Sequence, residues 1–244
     1  MKDQPRLGPT VRSWWNDVAA RVGGLRASQQ LLQKLWAFLL DSTPSRRQQR
    51  YGDVDYDWEY RVDTTSATVS WRDRLLGEFL SPYQPTEPTL FHEMMAALTI
   101  DFSAFTFIDL GSGKGRTLLM ACDYPFRRVV GIEVLPSLHR IAGENIRRYQ
   151  SPSRRCLPAE SVCQDARFFE FPDEPTVLYL FNPLPESALA EVIRKLADSI
   201  RSHPRPVYVI YHNALLEDVL AHETELLKIG GTHQYAIYIS RQSS

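Results

Sequence analysis

The ten residues FIDLGSGKGR, Phe107 to Arg116, set an acid beside three closely spaced glycines. Asp109 stands two residues before Gly111, and Gly113 and Gly115 follow in G-x-G-x-G spacing, with Ser112 between the first two. Glycines so placed allow a tight turn and let a ligand approach the backbone. A helix beginning there also offers unpaired N–H groups. Two further acids follow: Glu133, 18 residues beyond Gly115, and Asp165 in the triplet Gln164-Asp165-Ala166.

Charge selects the ligand. A dinucleotide loop reads G-x-G-x-x-G and a P-loop needs G-K-[ST]; Lys114-Gly115 completes neither. A carboxylate at Asp109 repels a pyrophosphate and attracts an ammonium. S-adenosylmethionine (SAM) carries an ammonium and a sulfonium cation and has no phosphate, so the charges favour it over NAD. Glu133 is then placed to accept from the two ribose hydroxyls. Asp165, with Ala166 beside it, is placed to accept from the adenine amino group. Taken singly, Asp109 and Glu133 read equally well as strand ends and Asp165 as a turn residue. The three together, around one glycine loop, point to SAM. An NAD(P)-binding Rossmann protein and a SAM-binding regulator without catalysis are the alternatives.

These residues need strand ends to hold them. FTFIDL, RRVVGIEV, SVCQDA, TVLYLF and PVYVIYH read as strands, with helices over RTLLMACDY, SLHRIAGENIRRY and ESALAEVIRKLADSI between them. A weak helix, ALLEDVLA, follows the last of these strands. TELLKIGG and HQYAIYIS close the chain as two strands around a Gly-Gly turn. Alternating strands and helices imply a mainly parallel sheet covered on both faces. The final pair implies an antiparallel edge hairpin. Upstream, residues 11–40 read as helix, with Leu31, Leu32, Leu35, Trp36, Leu39 and Leu40 on one face, and 45–50 as a solvated linker. YGDVDYDWEYRVDTT interleaves acids with aromatics, and SPYQPTEPT is a proline-rich turn before a helix at roughly 88–99. The expected organisation is a basic helical extension over 1–50, an acidic-aromatic lead-in over 51–100 and a SAM-binding core over 101–244.

FIDLGSGKGR, VVGIEVLPSLHRIAGENIRRY, QDA and LFNPLP resemble class I SAM-dependent methyltransferases over about residues 80–240. The resemblance implies a Rossmann-like α/β fold with a seven-stranded sheet whose last strand is antiparallel. YDWEYRVDTT followed by SPYQPT is similar to a group of uncharacterised bacterial methyltransferases. The Y-x-P-T turn is also similar to seven-strand protein lysine methyltransferases. In this fold the methyl acceptor enters beside the carboxyl end of the fourth strand, where Asn182-Pro183 lies. Amine-methylating relatives carry [DN]-P-P-[YF] there; this chain has Asn182-Pro183-Leu184-Pro185. The aromatic that would stack on a planar base is missing, which disfavours nucleic-acid bases as acceptors. Asn182 is therefore the first candidate for the acceptor pocket, as well as a cofactor contact. Tyr83, in the proline-rich turn, and Tyr211, at the end of the fifth strand, are further catalytic candidates. The expected acceptor is an amine on a protein or a small molecule.

Composition limits the rest. The 244 residues carry a net charge of −1, so the whole molecule is no electrostatic nucleic-acid binder. Up to residue 50, however, nine basic residues face three acids. Three scattered cysteines without a C-x-x-C pair, and six histidines without H-x-x-x-H spacing, give no expectation of a disulfide framework or a metal, and favour a reducing, cytoplasmic setting. The leucine stripe at 31–40 suits core packing or self-association better than a membrane surface. In the YGDVDYDWEY segment, docking of the aromatics on the core is preferred over binding of a lysine-like cation.

Overall fold

The computed structural model describes residues 5–43, 54–156, 158–182 and 184–241. The linker 45–50, Tyr51, Asp53 and Pro183, all singled out in the sequence, lie outside the described residues. The chain divides into two compact units, Met1–Pro85 and Thr86–Ser244, with the division inside the segment read as 51–100.

The N-terminal unit is helical. The single helix expected over 11–40 is two, α1 (Leu7–Val22) and α2 (Gly24–Asp41), because Gly23 between them adopts φ 86° and breaks the ladder. Ala27 is fully buried on α2, and Leu31, Lys34 and Phe38 are partly buried at helical spacing after it. That face is offset from the leucine stripe. Leu32, Trp36 and Leu39 are 60–67% exposed, so of the two uses expected for the stripe, core packing within its own unit does not extend to these three residues. After α3 (Val54–Tyr60), the Asp57 carboxylate accepts from the Thr64 and Thr65 N–H groups at 2.7 and 2.8 Å, which folds the acidic segment back on itself. Trp58 is 81% exposed, so the docking of this segment's aromatics does not extend to its tryptophan. Ser70 then caps α4 (Trp71–Gly77), accepting from the Asp73 N–H at 3.2 Å.

The second unit begins with α5 (Pro88–Ala96). Pro88 sits where its missing N–H costs nothing, and the Glu87 carboxylate accepts from Thr89 and Leu90. Seven strands form one sheet: β1 (Thr106–Leu110), β2 (Arg128–Glu133), β3 (Ala159–Cys163), β4 (Thr176–Phe181), β5 (Val207–His212), β6 (Leu226–Gly231) and β7 (Tyr235–Ser240). Their order is β3-β2-β1-β4-β5-β7-β6, with β7 antiparallel to both its neighbours and β1 to β5 parallel. This is the mainly parallel Rossmann-like arrangement with an antiparallel edge hairpin that the sequence predicts. The hairpin differs in one detail. Gly230 and Gly231 lie inside β6 at a register shift, and the turn falls on the residues after them, closed by Thr232 N–H to the Tyr235 carbonyl at 2.8 Å.

The helices α6 (Arg116–Ala121), α7 (Pro136–Arg148), α8 (Glu186–Ser202) and α9 (Glu217–Ala221) connect the strands. Successive strand residues alternate between faces. On one face, Ile108, Leu110, Leu178, Leu180, Val209 and Tyr211 pack with the α8 residues Leu189, Val192, Ile193 and Leu196. On the other, the Phe91 ring of α5 meets Phe107 and Tyr179 edge-on at 6.0 and 6.1 Å. Asp109 shares this second face, in register with Gly131 of β2 and Tyr179 of β4. Because the first five strands are parallel, their carboxyl ends share one edge, and the site lies there.

Candidate functional site

The glycine loop turns sharply off the end of β1. Gly111, Gly113 and Gly115 all have positive φ, at 84°, 54° and 83°, a region that side-chain-bearing residues rarely adopt. The turn is tied to β2 by Gly111 and Ser112 N–H groups donating to the Ile132 carbonyl at 2.8 and 3.1 Å. Gly131 is the second enabling glycine. A Cβ there would lie 2.5 Å from the Ser112 Oγ and 2.5 Å from a Leu118 methyl. The loop and α6 can thus settle onto β2 only over a bare backbone.

Asp109 and Glu133 are both buried behind this loop. Glu133 accepts from the Gly113 N–H at 2.8 Å with one oxygen and from the Leu135 N–H at 2.7 Å with the other. Two backbone donors therefore fix the plane of its carboxylate at the loop. Asp109 accepts from the Thr117 hydroxyl of α6. Burial pushes its pKa up to about 7; the Thr117 bond opposes that rise and the charge of Glu133 adds to it. The charge acting on Asp109 is thus a second acid, and a cation brought beside it would be strongly attracted. Ser112 Oγ, also buried, has no hydrogen-bond partner among the described residues. A buried hydroxyl in that state can be satisfied by a water or by a ligand atom.

Asp165 lies just beyond the end of β3, capping a short turn, Ala166–Phe168. Burial works to raise its pKa, but hydrogen bonds and charge from Arg167 outweigh that and hold the carboxyl below its ordinary range. The Arg167 guanidinium lies 2.6 Å from Asp165 Oδ2. Ala166 is buried beside it.

At the end of β4, Asn182 has φ 43°, in the left-handed region that asparagine tolerates better than most residues. Its Oδ1 accepts from the Tyr211 hydroxyl at 2.9 Å. Two residues chosen independently from the sequence thus meet. Tyr211 itself is fully buried, and burial pushes its pKa up. The Tyr83 hydroxyl donates to the Thr64 carbonyl at 2.6 Å within the N-terminal unit.

The sequence reading missed a polar line on the Asp109 face. Tyr179 Oη lies 2.7 Å from Thr86 Oγ1 and 2.8 Å from His212 Nδ1, and all three residues are buried. Tyr179 had the look of one more apolar residue in TVLYLF. Only the pairing of β4 with β5 brings it to His212.

No protein-family model matches the chain, and no curated protein matches it significantly. Among solved structures, it is similar to a predicted N6-adenine-specific DNA methylase from Listeria monocytogenes, at 15% identity and a TM-score of 0.47, over 65% of this chain and 52% of that one. The chain thus spans about half the length of that protein. It is also similar to an RNA methyltransferase from Salinibacter ruber crystallised with S-adenosyl-L-homocysteine, at 22% identity and TM-score 0.41, covering 64% and 92% of the two chains. A third likeness is to the rRNA methyltransferase AviRa from Streptomyces viridochromogenes, at 16% identity and TM-score 0.45, over 65% and 86%. At these scores the likenesses are partial.

Proposed function

We propose that the chain is a SAM-dependent methyltransferase whose acceptor is an amine, on a protein or a small molecule. The observation that carries this reading is Asp109: a buried acid next to a second acid, behind a loop of positive-φ glycines at a sheet's carboxyl edge. Such a place repels phosphate and suits an ammonium. When bound, SAM supplies a methyl group already activated by its sulfonium, so the protein's task is positioning. Asp109 holds the ammonium and the Gly111–Gly115 loop approaches the amino acid end, with the Ser112 hydroxyl available to it. Glu133, set by its two backbone donors, takes the ribose hydroxyls. Asp165 and Ala166 border the adenine. Asn182, oriented by Tyr211, stands at the acceptor's side of the site.

The test is incubation of the full chain with tritiated SAM and a cell lysate that lacks the endogenous protein. A protease-sensitive labelled band, or labelled small amines, supports the reading. Nuclease-sensitive label would move the acceptor to nucleic acid. SAM binding with no label at all would leave a regulator rather than an enzyme.

A further inference from the structure

The Thr86–Tyr179–His212 line has no part in holding SAM in the scheme above, yet it commits three buried polar side chains to one another. Buried polar groups are costly unless they are satisfied, and a chain of this kind fixes the rotamers of its members. The member at its end is His212, the last residue of β5, which pairs in register with Phe181, the residue just before Asn182. The two rings stack at 3.9 Å between centroids and 26° between planes. His212 is thus held by a hydrogen bond through Nδ1 and by a stack across its face. Its other nitrogen, Nε2, has no hydrogen-bond partner among the described residues, and it is not among the buried atoms left unpartnered. The ring is thus held through Nδ1 and its face, which leaves Nε2 as its one uncommitted nitrogen.

Resting on the methyltransferase reading, we infer that His212 Nε2 accepts a hydrogen bond from the methyl-accepting amine, with Thr86 and Tyr179 as positioning residues that set the ring. This role requires one of the two tautomers the distances allow. Nδ1–H donates to Tyr179 Oη, Tyr179 donates to Thr86 Oγ1, and Nε2 keeps its lone pair. Burial lowers the His212 pKa to about 4, so the ring stays neutral and does not repel a cationic amine as it arrives.

Two substitutions separate this role from a packing role. In His212→Gln the side-chain amide reaches the place of Nε2, whereas in His212→Asn it reaches only the place of Nδ1. The full-length chain and both variants are compared by thermal melting, by SAM titration and by tritiated-SAM labelling of the lysate. The ¹⁵N resonances of the His212 ring, identified by their loss in the variants, report the tautomer without any turnover. The expected result is a ring unprotonated at Nε2, SAM affinity within about twofold of wild type throughout, labelling largely kept by Gln and reduced at least about tenfold by Asn. A ring protonated at Nε2, labelling kept by Asn and lost by Gln, or equal labelling by both variants overturns the inference. If wild type fails to bind SAM, the methyltransferase reading falls and takes this one with it; if it binds and labels while the variants behave otherwise than stated, only this inference fails.

Discussion

Lowering the pH from 7 to 6 should weaken SAM binding about fivefold, through Asp109 alone. Burial raises this carboxyl from 3.8 to about 7. It is then about half ionised at pH 7 and about one-tenth ionised at pH 6. An ammonium binds the ionised form, so apparent affinity follows the ionised fraction. Between pH 7 and 8 the same group adds only about a factor of two, and SAM's own α-amino group begins to lose its proton near ~7.7–8.0. The informative interval is therefore 6 to 7. Calorimetry in two buffers of different ionisation enthalpy gives both the affinity and the protons released, about half a proton per site at pH 7 and about nine-tenths at pH 6. Asp109→Asn should bind at least as weakly as wild type at pH 6 and lose the pH dependence. The unliganded protein carries the same signature in its stability. A raised folded-state pKa means that the contribution of Asp109 is fully present below about pH 4 and is lost as the pH rises through about 7. The melting temperature should accordingly carry a downward slope towards pH 7 that Asp109→Asn removes. Flat affinity from pH 6 to 7 with no proton released would refute the argument that this carboxylate meets a cation.

Gly131→Ala should destabilise by about 1–3 kcal/mol, since the new methyl lands 2.5 Å from both Ser112 and Leu118; at about 2–4 °C per kcal/mol the loss is readable in a melting curve, and SAM affinity should fall with it. Tyr211→Phe removes the donor to Asn182 Oδ1, so acceptor labelling should drop several-fold with SAM affinity unchanged. Asn182→Gly keeps the φ of 43° without strain but strips the buried Tyr211 hydroxyl of its acceptor, so the melting temperature should fall modestly, by the equivalent of about 1–3 kcal/mol, while labelling falls sharply. Trp58→Ser, at a side chain 81% exposed, should change stability by less than about 0.5 kcal/mol.

The strand ends were legible because an acid there interrupts an apolar run: Asp109 after FI and Glu133 after VVGI stand out in a one-dimensional reading. The glycine loop was legible for the same reason, since three glycines between a strand and a helix have few other uses. Tyr179 and Thr86 were not, because a tyrosine inside a strand and a threonine in a turn carry no signal until the β4–β5 pairing brings Tyr179 to His212 and the hydroxyl of Thr86 meets that of Tyr179. Gly131 reads as a weak point in a strand and becomes necessary only once Ser112 is seen above it. The break at Gly23 escaped because the helix was read from the leucine stripe at 31–40, which lies wholly beyond it and carries no information about the one residue free to leave the helix. The leucine stripe was legible as a helical face, but not which part of it packs: of its members Leu31 lies on the covered line with Ala27, Lys34 and Phe38, whereas Leu32, Trp36 and Leu39 are exposed.

Calorimetric titration of the full chain with SAM and, separately, with NADH tests the central claim most directly. The account predicts saturable one-site binding of SAM, weakened by Asp109→Asn and by Glu133→Gln, with no heat from NADH. Binding of NADH without binding of SAM would contradict it.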